Sequence, residues 1–162
     1  MNSHIKAATK RDIPQIVSLI REFAEFEKLS EFCEVTEDKL CAGMFSEKPC
    51  VEGLMAFDES NKVVGYALFY ENFASFRGQR GVYLEDLYVV PEMRKAGVGL
   101  ALMKHLAKLA TERGAERMDW QVLTWNEPAI RFYELLGAEI DPSERHWKLT
   151  GADFERLANV DG

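Results

Sequence analysis

The stretch from residue 82 to residue 114 constrains this chain more than any other. Residues 82–90 are apolar and rich in β-branched and aromatic side chains, the composition of a strand, and they stop at Pro91. After a basic loop, Gly97-Val98-Gly99 opens a segment with apolar residues at helical spacing, through Leu102, Leu106, Leu109 and Ala110 to Gly114. A strand that feeds a helix through a glycine-containing loop is a unit of α/β architecture. The first-turn N–H groups of such a helix lack intrahelical partners and carry the positive end of its dipole, so they suit phosphate oxygens. Glycine lets a ligand approach the backbone closely, and Arg94 and Lys95 add positive charge at the same end.

The rest of the chain supplies partners for this unit. Residues 5–9 fit a short first strand. Asp12 precedes Ile13, Ile16, Val17, Leu19, Ile20, Phe23 and Phe26, an amphipathic helix with Pro14 in its first turn. Thr36, followed by Glu37 and Asp38, starts a second helix whose apolar side is Leu40, Met44 and Phe45. Residues 51–57 and 63–70 form a hairpin about the polar turn 58–62, and residues 71–81 read as a long connection. Residues 117–123 make another strand, and Asn126 caps a helix with Pro128 in its first turn and Gly137 at its end. Trp147, Lys148 and Leu149 suggest a final strand, with a short helix near Phe154 and Leu157. The expected fold is α/β, a mixed sheet with helices on both faces. No repeat, low-complexity tract or linker interrupts the chain, so residues 1–162 are expected to form a single domain.

Composition narrows the function classes. A formal charge of −7 argues against non-specific nucleic-acid binding, which needs a basic surface to displace counterions. It favours, weakly, a cationic substrate. No apolar run approaches a membrane span, and no apolar h-region follows Lys6, Lys10 and Arg11, so neither a membrane anchor nor export is expected and the location should be cytoplasmic. Cys33, Cys41 and Cys50 lack paired spacing, and His4, His105 and His146 are scattered, so no metal site is expected. The glycine loop is neither of the common nucleotide motifs. A Walker loop would place Lys and Ser or Thr where Leu100 and Ala101 stand, and the third glycine of a dinucleotide fingerprint is replaced by Leu102.

Arg94-x-x-Gly97-x-Gly99 resembles the Arg/Gln-x-x-Gly-x-Gly/Ala signature of the GNAT (Gcn5-related) N-acetyltransferases. Tyr83-Leu84-Glu85-Asp86-Leu87-Tyr88-Val89, Trp125-Asn126-Glu127-Pro128-Ala129-Ile130-Arg131-Phe132-Tyr133 and residues 19–27 further resemble the diamine branch, which holds the spermidine/spermine and thialysine acetyltransferases. The resemblance covers nearly the whole chain, in order. It implies the GNAT fold, with a mostly antiparallel mixed sheet and a splayed central strand. It also implies acetyl-CoA as co-substrate, a small primary amine as acceptor, and a homodimer. Leu87, Tyr88 and Val89 would bind the pantetheine arm by their backbone. The pyrophosphate would lie on Arg94, Lys95, Ala96, Gly97, Val98, Gly99 and Leu100, with Asn126, Glu127, Pro128, Ala129 and Tyr133 as further coenzyme contacts.

The chemistry makes two demands. A lysine-like amine with a pKa of about 10.4 must lose a proton, at about 4–5 kcal/mol near neutral pH. A carboxylate can accept that proton directly or through water, and Glu85 stands just upstream of the loop. By spacing alone Glu85 is equally a paired surface charge; the resemblance assigns it to substrate contact and deprotonation. Asp86 should face the other side of the strand, unless a bulge intervenes, and is expected to be structural. Tyr133 shares a helix face with Ala129 and Leu136, so its ring is a core aromatic or, by resemblance, the general acid to the coenzyme sulfur.

Phe26, Glu27, Asp119, Trp120, Gln121 and Trp147 match substrate-lining positions of the branch, each of which ordinary core or surface would also explain. Thr124 stands where the branch often carries an acid, and Arg145-His146 replaces an acidic, glycine-containing stretch. Fewer carboxylates favour a short amine or a diamino acid, whose carboxylate Arg145 could contact, over a long polycation. Two rivals share the fold: a non-catalytic acyl-CoA sensor, and an acetyltransferase acting on a protein amine. The sensor would not need Glu85 and Tyr133 together.

Overall fold

The computed structural model describes residues 3–160. The chain forms two compact units, Met1–Gln121 and Val122–Gly162.

The first unit is built on a five-stranded sheet whose spatial order follows the sequence. Its strands are β1 (His4–Ala7), β2 (Glu52–Phe57), β3 (Val63–Ala74), β4 (Gln79–Val89) and β5 (Arg117–Trp120). β1 to β4 pair antiparallel, and β5 joins β4 in parallel, after the crossover through a helix that a parallel pair requires. Helices α1 (Ile13–Phe26), α2 (Glu37–Phe45) and α3 (Val98–Glu112) cover the sheet. Ile13, Ile16, Val17 and Leu19 of α1 and Leu40 and Met44 of α2 form one core with Met55, Tyr66, Leu68 and Tyr88. The alternate residues Leu54, Ala67, Phe69 and Leu84 point to the opposite face, where α3 buries Val98, Leu102, Leu106 and Ala110.

The local grammar explains most boundaries. Thr36 Oγ1 accepts from Lys39 N at 3.2 Å to start α2. Asp58 Oδ1 accepts from the backbone of Ser60 and Lys62 and closes the β2–β3 turn. β1 lies slightly earlier than residues 5–9, because Thr9 is drawn into a one-turn 3-10 helix by its bonds to Asp12. The expected connection over residues 71–81 is corrected. β3 and β4 continue through it as a ladder from Tyr70↔Tyr83 to Ala74↔Gln79, leaving only a tight turn in which Gly78 takes φ +63°. Its polar and aromatic side chains stand on a ribbon with no core beneath it, so they carry no alternation of hydrophobicity to announce a strand.

The second unit holds α4 (Glu127–Leu135) and α5 (Gly151–Ala158). The strand expected at residues 147–149 is absent among the described residues. That segment pairs with nothing in the sheet, and Trp147 and Leu149 are exposed rather than alternating in burial. β5 likewise ends at Trp120 rather than residue 123, where its pairing with β4 stops at Leu84.

Candidate active site

The ladder between β3 and β4 skips one residue. Leu68 lies opposite Asp86 and Phe69 opposite Leu84, so Glu85 is the extra residue of a β-bulge. Leu84 and Leu87 therefore share the α3 face although they stand three apart, while Tyr83, Asp86 and Tyr88 share the α1 face. The bulge is the exception under which strand alternation does not set Asp86 opposite Glu85. The Glu85 charge lies near enough to raise the pKa of Tyr70, Tyr83 and Asp86, all on the α1 face, so the bulge keeps it close to that side of the sheet.

The surroundings of Asp86 are built from three elements. The phenol of Tyr66, fully buried on β3, donates to Asp86 Oδ2 at 2.9 Å. Desolvation lifts the Asp86 carboxyl to about 6, helped by the Glu85 charge and opposed by the Tyr66 hydrogen bond. Burial and the neighbouring carboxylate push the Tyr66 phenol well above its ordinary value, which keeps it a donor. Glu27, at the end of α1, is raised by its own burial and then by Asp86. Tyr70 and Tyr83 stack beside Glu85, with ring centroids 5.1 Å apart. Across from Tyr83 on β5 stands Asp119, held by the Arg117 guanidinium through Nε at 2.8 Å and Nη2 at 2.5 Å. The face thus presents Glu27, Glu85 and Asp86 among tyrosine rings, a setting for an ammonium group.

Beyond Leu84 the β5 side of β4 has no strand partner, because β5 pairs only with Gly81, Val82, Tyr83 and Leu84. The backbone edge of Leu87, Tyr88 and Val89 is left open to a ligand that can supply the missing hydrogen bonds. Past β4, Pro91–Met93 makes a 3-10 turn, Lys95 takes φ +66° and Gly97 takes φ +84°. The left-handed backbone at Gly97 turns the chain into α3 as its N-cap, and no atom lies within 4 Å of where a Cβ would be. Ala101 N donates to Gly97 O at 2.9 Å, which leaves the N–H groups of Val98, Gly99 and Leu100 without intrahelical acceptors. This open, glycine-lined helix start fits a diphosphate. Arg94 is held at the end of β4. Its Nε donates to Val89 O at 3.0 Å, and the guanidinium carbon lies 4.4 Å from the Phe26 ring centroid and 5.5 Å from that of Tyr88. It ties the end of α1 to the end of β4.

In the second unit, Asn126 is buried and its Oδ1 accepts from Ala129 N at 3.3 Å, capping α4 as expected. Tyr133 is half-buried on α4, its ring 5.2 Å from that of Phe132. Glu127 and Pro128 form the exposed first turn.

The family model of the acetyltransferase (GNAT) family matches residues 13–138, through the boundary between the two units. The chain belongs to the GNAT family. Thialysine N-epsilon-acetyltransferase of Mus musculus is 36% identical, over 99% of this chain and 98% of its own length. L-ornithine N5-acetyltransferase of Arabidopsis thaliana is 30% identical, over 97% and 88%. Among solved structures, an integron cassette protein from the mobile metagenome of V. cholerae matches with a TM-score of 0.82 and 27% identity, over 99% of each chain.

With GNAT membership shown, the geometry sorts the residues anticipated from sequence. Glu27 and Glu85 lie near Asp86, Phe26 packs against the Arg94 guanidinium, and Asp119 lies on the α1 face beyond Tyr83. Trp120 pairs with Leu84 and so belongs to the α3 face, and Gln121 follows the end of β5 as an exposed residue. Arg145 and Trp147 are exposed residues of the second unit. Sequence reading missed Tyr66, Tyr70 and Tyr83 as parts of the site. The available signal was the odd spacing of Leu84 and Leu87 around two acids, which a regular strand cannot place on one buried face. Among the described residues no His/Cys/Asp/Glu group could hold a metal ion, and no helix is long and apolar enough to cross a membrane.

Proposed function

We propose that this protein transfers the acetyl group of acetyl-CoA to a primary amine of a small diamino compound, by direct attack within a ternary complex. The observation that carries the reading is the β4 bulge. It sets Glu85 as an extra residue close to Asp86, immediately upstream of an open strand edge and a glycine-opened helix. Acetyl-CoA, when bound, supplies the activated acyl group as a thioester. The N–H groups of Val98, Gly99 and Leu100 grip the diphosphate, and the backbone of Leu87, Tyr88 and Val89 aligns the pantetheine arm. Those strand amides also stabilise charge developing on the carbonyl oxygen.

Glu85 removes the proton from the incoming ammonium, directly or through one water, so that the nitrogen lone pair is free to attack. By family resemblance, the Tyr133 hydroxyl holds the proton that the departing sulfur takes up. Asn126, Glu127, Pro128 and Ala129 contact the coenzyme in the same reading. A diamino acid such as thialysine or ornithine is favoured as acceptor by the names of the similar proteins. The clustered carboxylates would hold its ammonium end, and Arg145 is suited to its carboxylate. A cytoplasmic homodimer is the form expected by resemblance.

The test is release of the coenzyme thiol from acetyl-CoA with thialysine, ornithine, lysine, spermidine, aminoglycosides and peptides. Turnover is expected with the diamino acids above spermidine. Glu85→Gln should lose about 10²-fold in kcat/KM near neutral pH and recover at alkaline pH, where the amine sheds its proton unaided. Turnover with none of the amines would overturn the reading in favour of a non-catalytic acyl-CoA sensor.

A further inference from the structure

We propose that Tyr66 is a positioning residue for the amine site: its phenol O–H, donated to Asp86 Oδ2, fixes that carboxylate beside Glu85 and Glu27, oriented to receive the substrate's ammonium group. The role rests on the acetyltransferase reading above and adds to it a residue that lies beneath the site rather than in it.

Tyr66 is fully buried, packed into the α1–α2 core with its ring 6.3 Å from that of Tyr88. A phenylalanine would fill the same space, so packing alone gives no reason for a buried hydroxyl, which is costly to desolvate without a partner. The partner is Asp86 at 2.9 Å. The other titratable groups around this pair come from every packed element. They are Glu85 and Tyr88 on β4, Glu27 at the end of α1 and Cys33 after α1, with Glu22 on α1 and Glu92 and Arg94 after β4 acting on Tyr88. Glu85 and Glu27 both couple unfavourably to an ionised Asp86. Arg94, the cation in this set, is engaged with Val89 O, Phe26 and Tyr88. The Tyr66 hydroxyl is therefore the neighbour that favours the charged form of Asp86, and it does so in one direction because its donor fixes which oxygen is bonded.

An acid that must be ionised to hold an ammonium group sets the acid limb of the pH–rate profile. Removing a hydrogen bond to a carboxylate should move that limb upward by about one pH unit. A merely structural role would lower activity equally at every pH.

The experiment uses the full chain with Tyr66→Phe. First, the Asp86 carboxyl is titrated by carbon-13 NMR without substrate; its midpoint should rise by about one unit. Second, kcat/KM with thialysine is followed against pH. The acid limb should rise by the same amount, with roughly a tenfold loss on that limb and convergence with wild type at alkaline pH. In the Asp86→Asn background, adding Tyr66→Phe should leave the profile unmoved. An unchanged midpoint, or a uniform loss at all pH values, overturns the role. If Tyr66→Phe fails to fold, Asp86→Asn decides: the acid limb should shift, with Glu85 still having to be ionised, and KM for the amine should rise; an unmoved limb with unchanged KM overturns the role. Wild-type protein without turnover on any amine would sink the acetyltransferase reading and this role together. Wild-type turnover with an unmoved limb removes this role alone.

Discussion

The Asp86 carboxyl offers a stability test that needs no substrate. Its pKa stands at about 6 in the folded chain against an ordinary value of 3.8, with desolvation as the leading cause. The folded state therefore binds more protons than the unfolded state between those two values, and stability falls as pH rises through the window. The difference corresponds to roughly 3 kcal/mol, fully expressed above the folded value and absent below the unfolded one. Asp86→Asn keeps the shape and leaves an amide oxygen to accept from Tyr66, while removing the charge that is costly to bury. It should stabilise the protein by about 2–3 kcal/mol near pH 8 and by almost nothing near pH 4. For a chain of this size that amounts to roughly 5–10 °C in Tm at the higher pH. Urea unfolding of both proteins across this range measures the difference directly. A gain that is independent of pH, or no gain at the alkaline end, would refute the assignment of a desolvated, ionisable Asp86.

Further outcomes follow from residues on α3 and α4. Tyr133→Phe should lower kcat by about 10²-fold or more while leaving acetyl-CoA affinity unchanged, read by steady-state kinetics beside calorimetric binding. Asn126→Ala removes the cap on Ala129 N and should cost about 1 kcal/mol in urea unfolding, most of it restored by Asp or Ser at the same position. Gly97→Ala meets no steric obstacle but must hold φ +84°, so it should destabilise by about 1 kcal/mol through backbone strain alone.

The parts of this fold that sequence reveals are those where a periodic burden of apolar side chains meets a recognisable stop. α1, with Pro14 in its first turn and Ile16 and Val17 inward, is of this kind, as are α3 behind Gly97 and α4 behind Asn126. The β3–β4 ribbon near its turn was hidden because Asn72, Phe73 and Arg80 have no core to face, so backbone pairing alone makes them strands. The residues 147–149 misled for the opposite reason: Trp147 and Leu149 have strand-like composition yet pair with nothing described. At the proposed site, Glu85 and the helix-opening glycines were visible as residue types suited to the proposed chemistry. The contribution of Tyr66 was not, since a buried tyrosine looks like core until the atom receiving its hydroxyl is known. Arg94 suggests a phosphate ligand by its charge beside glycine, and its packing against neighbouring elements is what the sequence does not show. The structure gives its guanidinium to a carbonyl and two aromatic faces.

The extra residue in β4 separates two properties that strands usually bind together. Deleting Glu85 would set Leu84 and Asp86 in direct succession opposite Phe69 and Leu68, giving an uninterrupted ladder with every buried face intact. Such a chain would be better paired and would lack the proposed base. Folding alone thus gives no reason for the interruption, which is what a demand from outside the fold would look like.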